Sequence, residues 1–184
     1  MAMITIKTDA EAFFNFLGGR RKRKLVTVTQ QAPTGSMLRA FNLPIIQVAQ
    51  TCHQQIVRDI MSKPPEVGGW LLGPTGSPVV THFVLDSTGR GTAASFTFDH
   101  TRLNDILRQY VALGLDAKGA IHSHPSGYTR LSSGDLTYVK KLFNNPKNDV
   151  HEIYMPIVVD RNIHPYIVYR DNPDEPQPAQ LVLI

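Results

Sequence analysis

His122 and His124 alternate on either side of Ser123, and Asp135 follows after a short loop. The run reads Ile121-His-Ser-His-Pro-Ser-Gly-Tyr-Thr-Arg-Leu-Ser-Ser-Gly-Asp135. On an extended segment, residues two apart point to one face, so both imidazoles can reach one metal ion. Pro125 turns the chain out of the strand, and the loop returns Asp135 at the start of a helix, where it can supply a third ligand. Two neutral nitrogens and one carboxylate oxygen leave a fourth tetrahedral position open, the pattern of a catalytic rather than a structural zinc. Water in that position becomes acidic enough to serve as hydroxide near neutral pH.

Hydrolysis also needs a proton carrier. Glu66 follows Pro64-Pro65 and opens the apolar run Val67-Gly-Gly-Trp-Leu-Leu-Gly73, where desolvation raises a carboxyl pKa toward a useful value. Ser132, three residues before Asp135, is near enough in sequence to donate to an oxyanion. Each residue has a plainer reading. Ser132-Ser-Gly-Asp135 is also a capping box, the two histidines alone are compatible with a surface position, and Glu66 alone is a carboxylate near a turn. The joint spacing favours chemistry.

The elements that must position these residues follow from periodicity. Apolar residues at steps of three and four predict a helix from about Pro44 to Met61, one from Thr101 to Leu113, and one from near Ser133, carrying Leu136, Val139, Leu142 and Phe143, to Asn144. Glu66 to Gly73 and Val79 to Leu85 read as a strand hairpin, Ser95 to Phe98 and Lys118 to His122 as strands. Tyr154 to Val159 and Ile163 to Tyr169 read as two more, joined at Asp160-Arg-Asn162. Gly89-Arg-Gly91-Thr-Ala-Ala94 matches a dinucleotide fingerprint only on paper, because a strand rather than a helix follows it. This order is α+β: a mixed β-sheet flanked by helices. Residues 1–43 read as an N-terminal extension, with a short Phe-rich helix after Asp9 and a basic run from Arg20 to Lys24. Residues 44–170 form the main domain, and residues 171–184 a C-terminal tail, Pro-rich and loose from Asp171 to Pro178 before an apolar Leu181-Val-Leu-Ile184 ending.

Composition sets bounds. With 19 Lys plus Arg against 15 Asp plus Glu, the excess of +4 is too small to imply nucleic acid or a membrane surface. No aromatic residue interrupts the basic run, so it gives no support for base stacking. One Cys excludes an internal disulfide framework and a multi-cysteine metal site, and fits a reducing, cytoplasmic compartment. No apolar stretch reaches bilayer-spanning length, and the order of charged and apolar residues at the N-terminus is wrong for a secretory signal.

The stretch resembles the metalloprotease signature of the JAB1/MPN/Mov34 (JAMM) family, in which a Glu precedes a strand, His-Ser/Thr-His-Pro follows, and Ser-x-x-Asp closes the site. All five positions are present, and the similarity runs from about Leu43 to Tyr169. The resemblance implies an MPN/JAB-like, cytidine-deaminase-like fold with His122, His124 and Asp135 on one zinc ion. It implies Glu66 as general acid/base and Ser132 as oxyanion donor. It further implies cleavage of peptide or isopeptide bonds after the C-terminal tail of a ubiquitin-like protein, which, free or conjugated, is the expected partner. The size resembles the prokaryotic branch. Asn144 to Glu152 is short and holds only His151, which argues against the linkage selectivity of members with a long insertion there. The alternatives are a non-catalytic MPN-type scaffold and a zinc hydrolase of small amides. A zinc deaminase needs further cysteines, and no Gly-x-Ser-x-Gly elbow supports a serine hydrolase.

Overall fold

The computed structural model describes residues 43–60, 66–91, 96–146 and 149–184. The expected N-terminal helix, the basic run and the Pro64-Pro65 stop lie outside these residues. In chain order the elements are β1 (Ile45–Val48), α1 (Gln50–Asp59), β2 (Gly68–Pro74), β3 (His82–Leu85), β4 (Arg90–Gly91) and β5 (Phe96–Thr97). They continue with α2 (His100–Ala112), β6 (Leu115–Ser123), α3 (Ser133–Asn144), β7 (Glu152–Tyr154), β8 (Ile157–Val159) and β9 (Asn162–His164). The chain closes with β10 (Tyr166–Tyr169), β11 (Gln177–Pro178) and β12 (Gln180–Leu183).

The main sheet runs β11-β10-β7-β6-β2-β3, with β8 continuing alongside β6 and β9 pairing β8. It is mixed, because β6 is antiparallel to β2 but parallel to β7 and β8. One face packs on α1 through Leu71, Ile121, Cys52 and Ile56. The other packs on α2 and α3 through Trp70, Leu72, Ala120, Leu103, Leu107, Val139 and Leu142. The α+β expectation therefore holds, with helices on both faces.

A register shift falls between Leu71 and Leu72: Leu71 pairs Gly119, while Leu72 pairs Ala117, leaving Lys118 as the extra residue of a bulge. Ala117 and Ala120 both pack toward α2 and α3 although they are three residues apart. The bulge thus resets the alternation, and from Ala120 onward the even-numbered residues of β6 face α3.

Several expectations change. Ile45–Val48 is a strand, not the first turn of a helix, because it pairs in parallel with β12 at the far end of the chain. The helix begins only at Gln50. The segment expected to be loose is paired at its end, where Gln177–Pro178 forms β11 on β10, and the apolar ending that follows forms β12 on β1. The strand expected over Tyr154 to Val159 is broken at Met155-Pro156, and the one over Ile163 to Tyr169 at Pro165. Proline has no N–H for a ladder, so the partners change there: β7 pairs β10, while β8 pairs β9. Asp160 and Arg161 turn the β8–β9 hairpin with φ of 49° and 63°, as a two-residue turn requires.

Candidate metal centre

The alternation of β6 carries His122 onto the α3 side and Ser123 onto the opposite side. Its continuation carries His124 back beside His122. α3 meets them with its buried stripe, Asp135, Tyr138, Val139, Leu142 and Phe143, so the apolar face that docks the helix also delivers a carboxylate. His122 Nε2 lies 2.7 Å from His124 Nε2 and 3.2 Å from Asp135 Oδ1. His124 Nε2 lies 3.5 Å from Asp135 Oδ2. One ligand atom from each of the three residues falls within 4.8 Å of the others, and all three residues are buried.

The donor set fits a cation. His124 Nδ1 lies 3.1 Å from the Tyr128 carbonyl, to which only an N–H can donate, so its Nε2 keeps a lone pair for a metal. Asp135 Oδ1 is buried and makes no hydrogen bond among the described residues. Burial opposes ionisation of Asp135, but the imidazoles of His122 and His124 outweigh it and hold the carboxyl below the usual carboxylate range. Two imidazole nitrogens and a carboxylate form a donor set that a divalent transition metal such as zinc accepts.

The family described as prokaryotic homologs of the JAB domain matches residues 49–179. The chain belongs to this family. A solved structure of a Desulfitobacterium hafniense protein is similar at 14% identity, with a TM-score of 0.56, over 76% of this chain and 92% of that one. A JAB1/MPN domain protein of Archaeoglobus fulgidus matches at 18% identity, with a TM-score of 0.44, over 74% of this chain and 97% of its own. No curated protein matches the chain. Among the described residues no helix is long and apolar enough to cross a membrane.

Glu66 of this JAB domain lies two residues before Gly68, which pairs His122. The ladder continues past the end of β2: the Ser123 amide donates to the Val67 carbonyl over 2.8 Å. Extending the antiparallel register one more step sets Glu66 against His124, with its side chain on the same face as the two imidazoles. Neither oxygen of the Glu66 carboxyl has a hydrogen-bond partner among the described residues. Desolvation lifts its pKa to about 7, with His124 pulling it down and Asp135 pushing it up.

Ser132 sits at the N-cap of α3, and its Oγ accepts from the Asp135 amide over 3.1 Å. Its Oγ also donates to Asp135 Oδ2 over 2.8 Å, and its amide donates to the same oxygen over 2.7 Å. The capping-box reading is therefore realised, and the hydroxyl braces Asp135.

The paired glycines of β2 serve packing. A Cβ on Gly69 would stand 2.2 Å from the Val84 carbonyl oxygen, and one on Gly68 would stand 2.9 Å from the Cβ of His122. Gly91 presses on the Glu66 backbone, where a Cβ would meet the carbonyl oxygen at 1.9 Å. Two contributors escaped the sequence reading. The Tyr128 carbonyl leaves no sequence signal, being backbone. Gly91 stands in the sequence only as part of a fingerprint that a following strand rules out, and its contact with Glu66 depends on the backbone of β4 closing on it.

Proposed function

We infer that this JAB domain is a zinc-dependent hydrolase that cleaves a peptide or isopeptide bond after the C-terminal tail of a ubiquitin-like protein. The observation that carries the reading is the convergence of His122, His124 and Asp135 in a buried site, with the unpartnered carboxyl of Glu66 on the same face. His122 Nε2, His124 Nε2 and Asp135 would hold the ion. Zinc so held supplies Lewis acidity, making water nucleophilic near neutral pH and polarising a carbonyl.

The rest of the work falls to the chain. Glu66, with a pKa lifted to about 7, is matched to taking a proton from water and passing it to the leaving amine. Ser132 holds Asp135 in place and, by turning its hydroxyl hydrogen away from Oδ2, has the chemistry to donate to a developing oxyanion. A slender tail of small residues suits a site whose ligands are all buried.

Elemental analysis of the purified chain, joined to a cleavage assay on ubiquitin-like proteins carrying a C-terminal amide-linked reporter, tests the reading. One zinc per chain and release of the reporter after the terminal residue support it. Bound zinc without cleavage of any such substrate points instead to a docking module, and cleavage of small amides alone to the third alternative.

A further inference from the structure

Ser123 stands between the two histidine ligands, yet β6 turns it away from them. Its side chain is fully buried, and its Oγ accepts a hydrogen bond from the Val67 amide at 3.0 Å. The Ser123 amide in turn donates to the Val67 carbonyl at 2.8 Å. Val67 lies just before the first residue of β2, one position outside the β2–β6 pairs that begin at Gly68 and His122. Backbone and side chain of Ser123 thus grip both polar groups of the one residue that follows Glu66. On the other side, the Gly91 backbone closes against Glu66. Glu66 itself makes no side-chain hydrogen bond among the described residues, so its placement depends on how its backbone is held.

We propose that Ser123 is a positioning residue: by clamping the Val67 amide to the ligand strand, its hydroxyl fixes the Glu66 carboxyl relative to His122 and His124. Glu66 and the ligands come from different strands, so their relative position is set only where those strands are tied. Ser123 is the tie nearest both, and its side chain contributes a bond that the ladder alone lacks. A displacement near 1 Å at a reacting group costs about a hundredfold in rate. The inference rests on the hydrolase reading for its kinetic consequence, while its structural part can be tested without turnover.

The experiment compares the unsubstituted chain with Ser123→Ala, which removes the hydroxyl without adding bulk, and Ser123→Thr, which keeps it. Amide hydrogen exchange is followed at Val67, and the visible absorption of the cobalt-loaded protein reports the surroundings of the ion. Ser123→Ala is expected to bind one cobalt ion, to exchange Val67 about tenfold faster, and to move the cobalt bands in the direction that Glu66→Gln moves them. Ser123→Thr is expected to restore both where it folds. With a ubiquitin-like protein bearing a C-terminal fluorogenic amide, Ser123→Ala should lower kcat about ten- to a hundredfold with KM unchanged. In a Glu66→Gln background it should add no further loss. Unchanged Val67 exchange, loss of the metal, or a full additional loss in the Glu66→Gln background would each overturn the proposal. If the unsubstituted chain cleaves nothing, the hydrolase reading fails, and Val67 exchange with the cobalt spectrum still decides whether Ser123 positions Glu66.

Discussion

The hydroxyl of Ser132 donates to Asp135 Oδ2 at 2.8 Å while accepting from the Asp135 amide at 3.1 Å. The two residues cap α3 and fix the carboxylate at once. Oδ2 is occupied by the serine, and Oδ1, 3.2 Å from the His122 imidazole, is the oxygen left for a metal.

Ser132→Ala should therefore do two things. Loss of the cap should cost about 1 kcal/mol of stability, read as a lower Tm of the metal-free chain. Loss of the brace should weaken zinc binding about ten- to a hundredfold, as removal of a partner hydrogen-bonded to a metal ligand generally does. A competition titration with a chromogenic chelator measures the second effect, and unchanged affinity would refute the bracing role.

His122→Ala should remove most bound zinc, because two remaining ligands cannot hold the ion against dilution. The same substitution should abolish the zinc-dependent stabilisation seen as a higher Tm, which mass action sets at about 2.7 kcal/mol in the unsubstituted chain when free zinc stands a hundredfold above Kd. Elemental analysis and thermal unfolding with and without chelator check both.

Glu66→Gln should keep one zinc per chain and lower the cleavage rate by about two to four orders of magnitude, the usual contribution of a positioned proton carrier. Full activity in this variant would remove Glu66 from the mechanism.

Glu66 also gives the metal-free chain a pH signature. Its pKa is about 7 in the folded state against an ordinary 4.5, so the folded chain holds a proton that the unfolded chain releases. Its contribution is fully present below pH 4.5 and is lost as pH rises through about 7. Glu66→Gln, which cannot ionise, should match the unsubstituted chain in Tm near pH 4.5 and exceed it at pH 8. A constant difference between those pH values would contradict the buried, unpaired state of this carboxyl.

Much of the site was readable because its parts are close in sequence or carried by strong periodicity. The histidines alternate on one strand, and Asp135 follows a serine at capping distance. The errors arose where distant pairing overrode local pattern. Ile45 and Ala49 fit a helical step, and nothing near them reveals that β12 waits at the other end of the chain to pair with Ile45–Val48. The prolines of the tail suggested looseness, although Pro178 sits in β11 at the edge of the sheet, where proline is tolerated. On α2, Val111 stands one helical step from the buried Leu107 yet is 44% exposed, while on α3 Tyr138, absent from the expected apolar set, is buried. These differences reflect which neighbours the sheet places against each helix.

The bulge at Lys118 gives the chain a reading frame in space. Upstream of it, β6 is in one phase, and downstream, where His122 and His124 sit, it is in the other. Dropping or adding a single residue between Lys118 and His122 would swing both rings toward Cys52 and Ile56 and present Ser123 to Asp135 instead, with every letter of the His-x-His-Pro motif intact. A homologue can thus keep the motif and lose the cluster, and the length of this strand is as much a part of the candidate metal site as the histidines it carries.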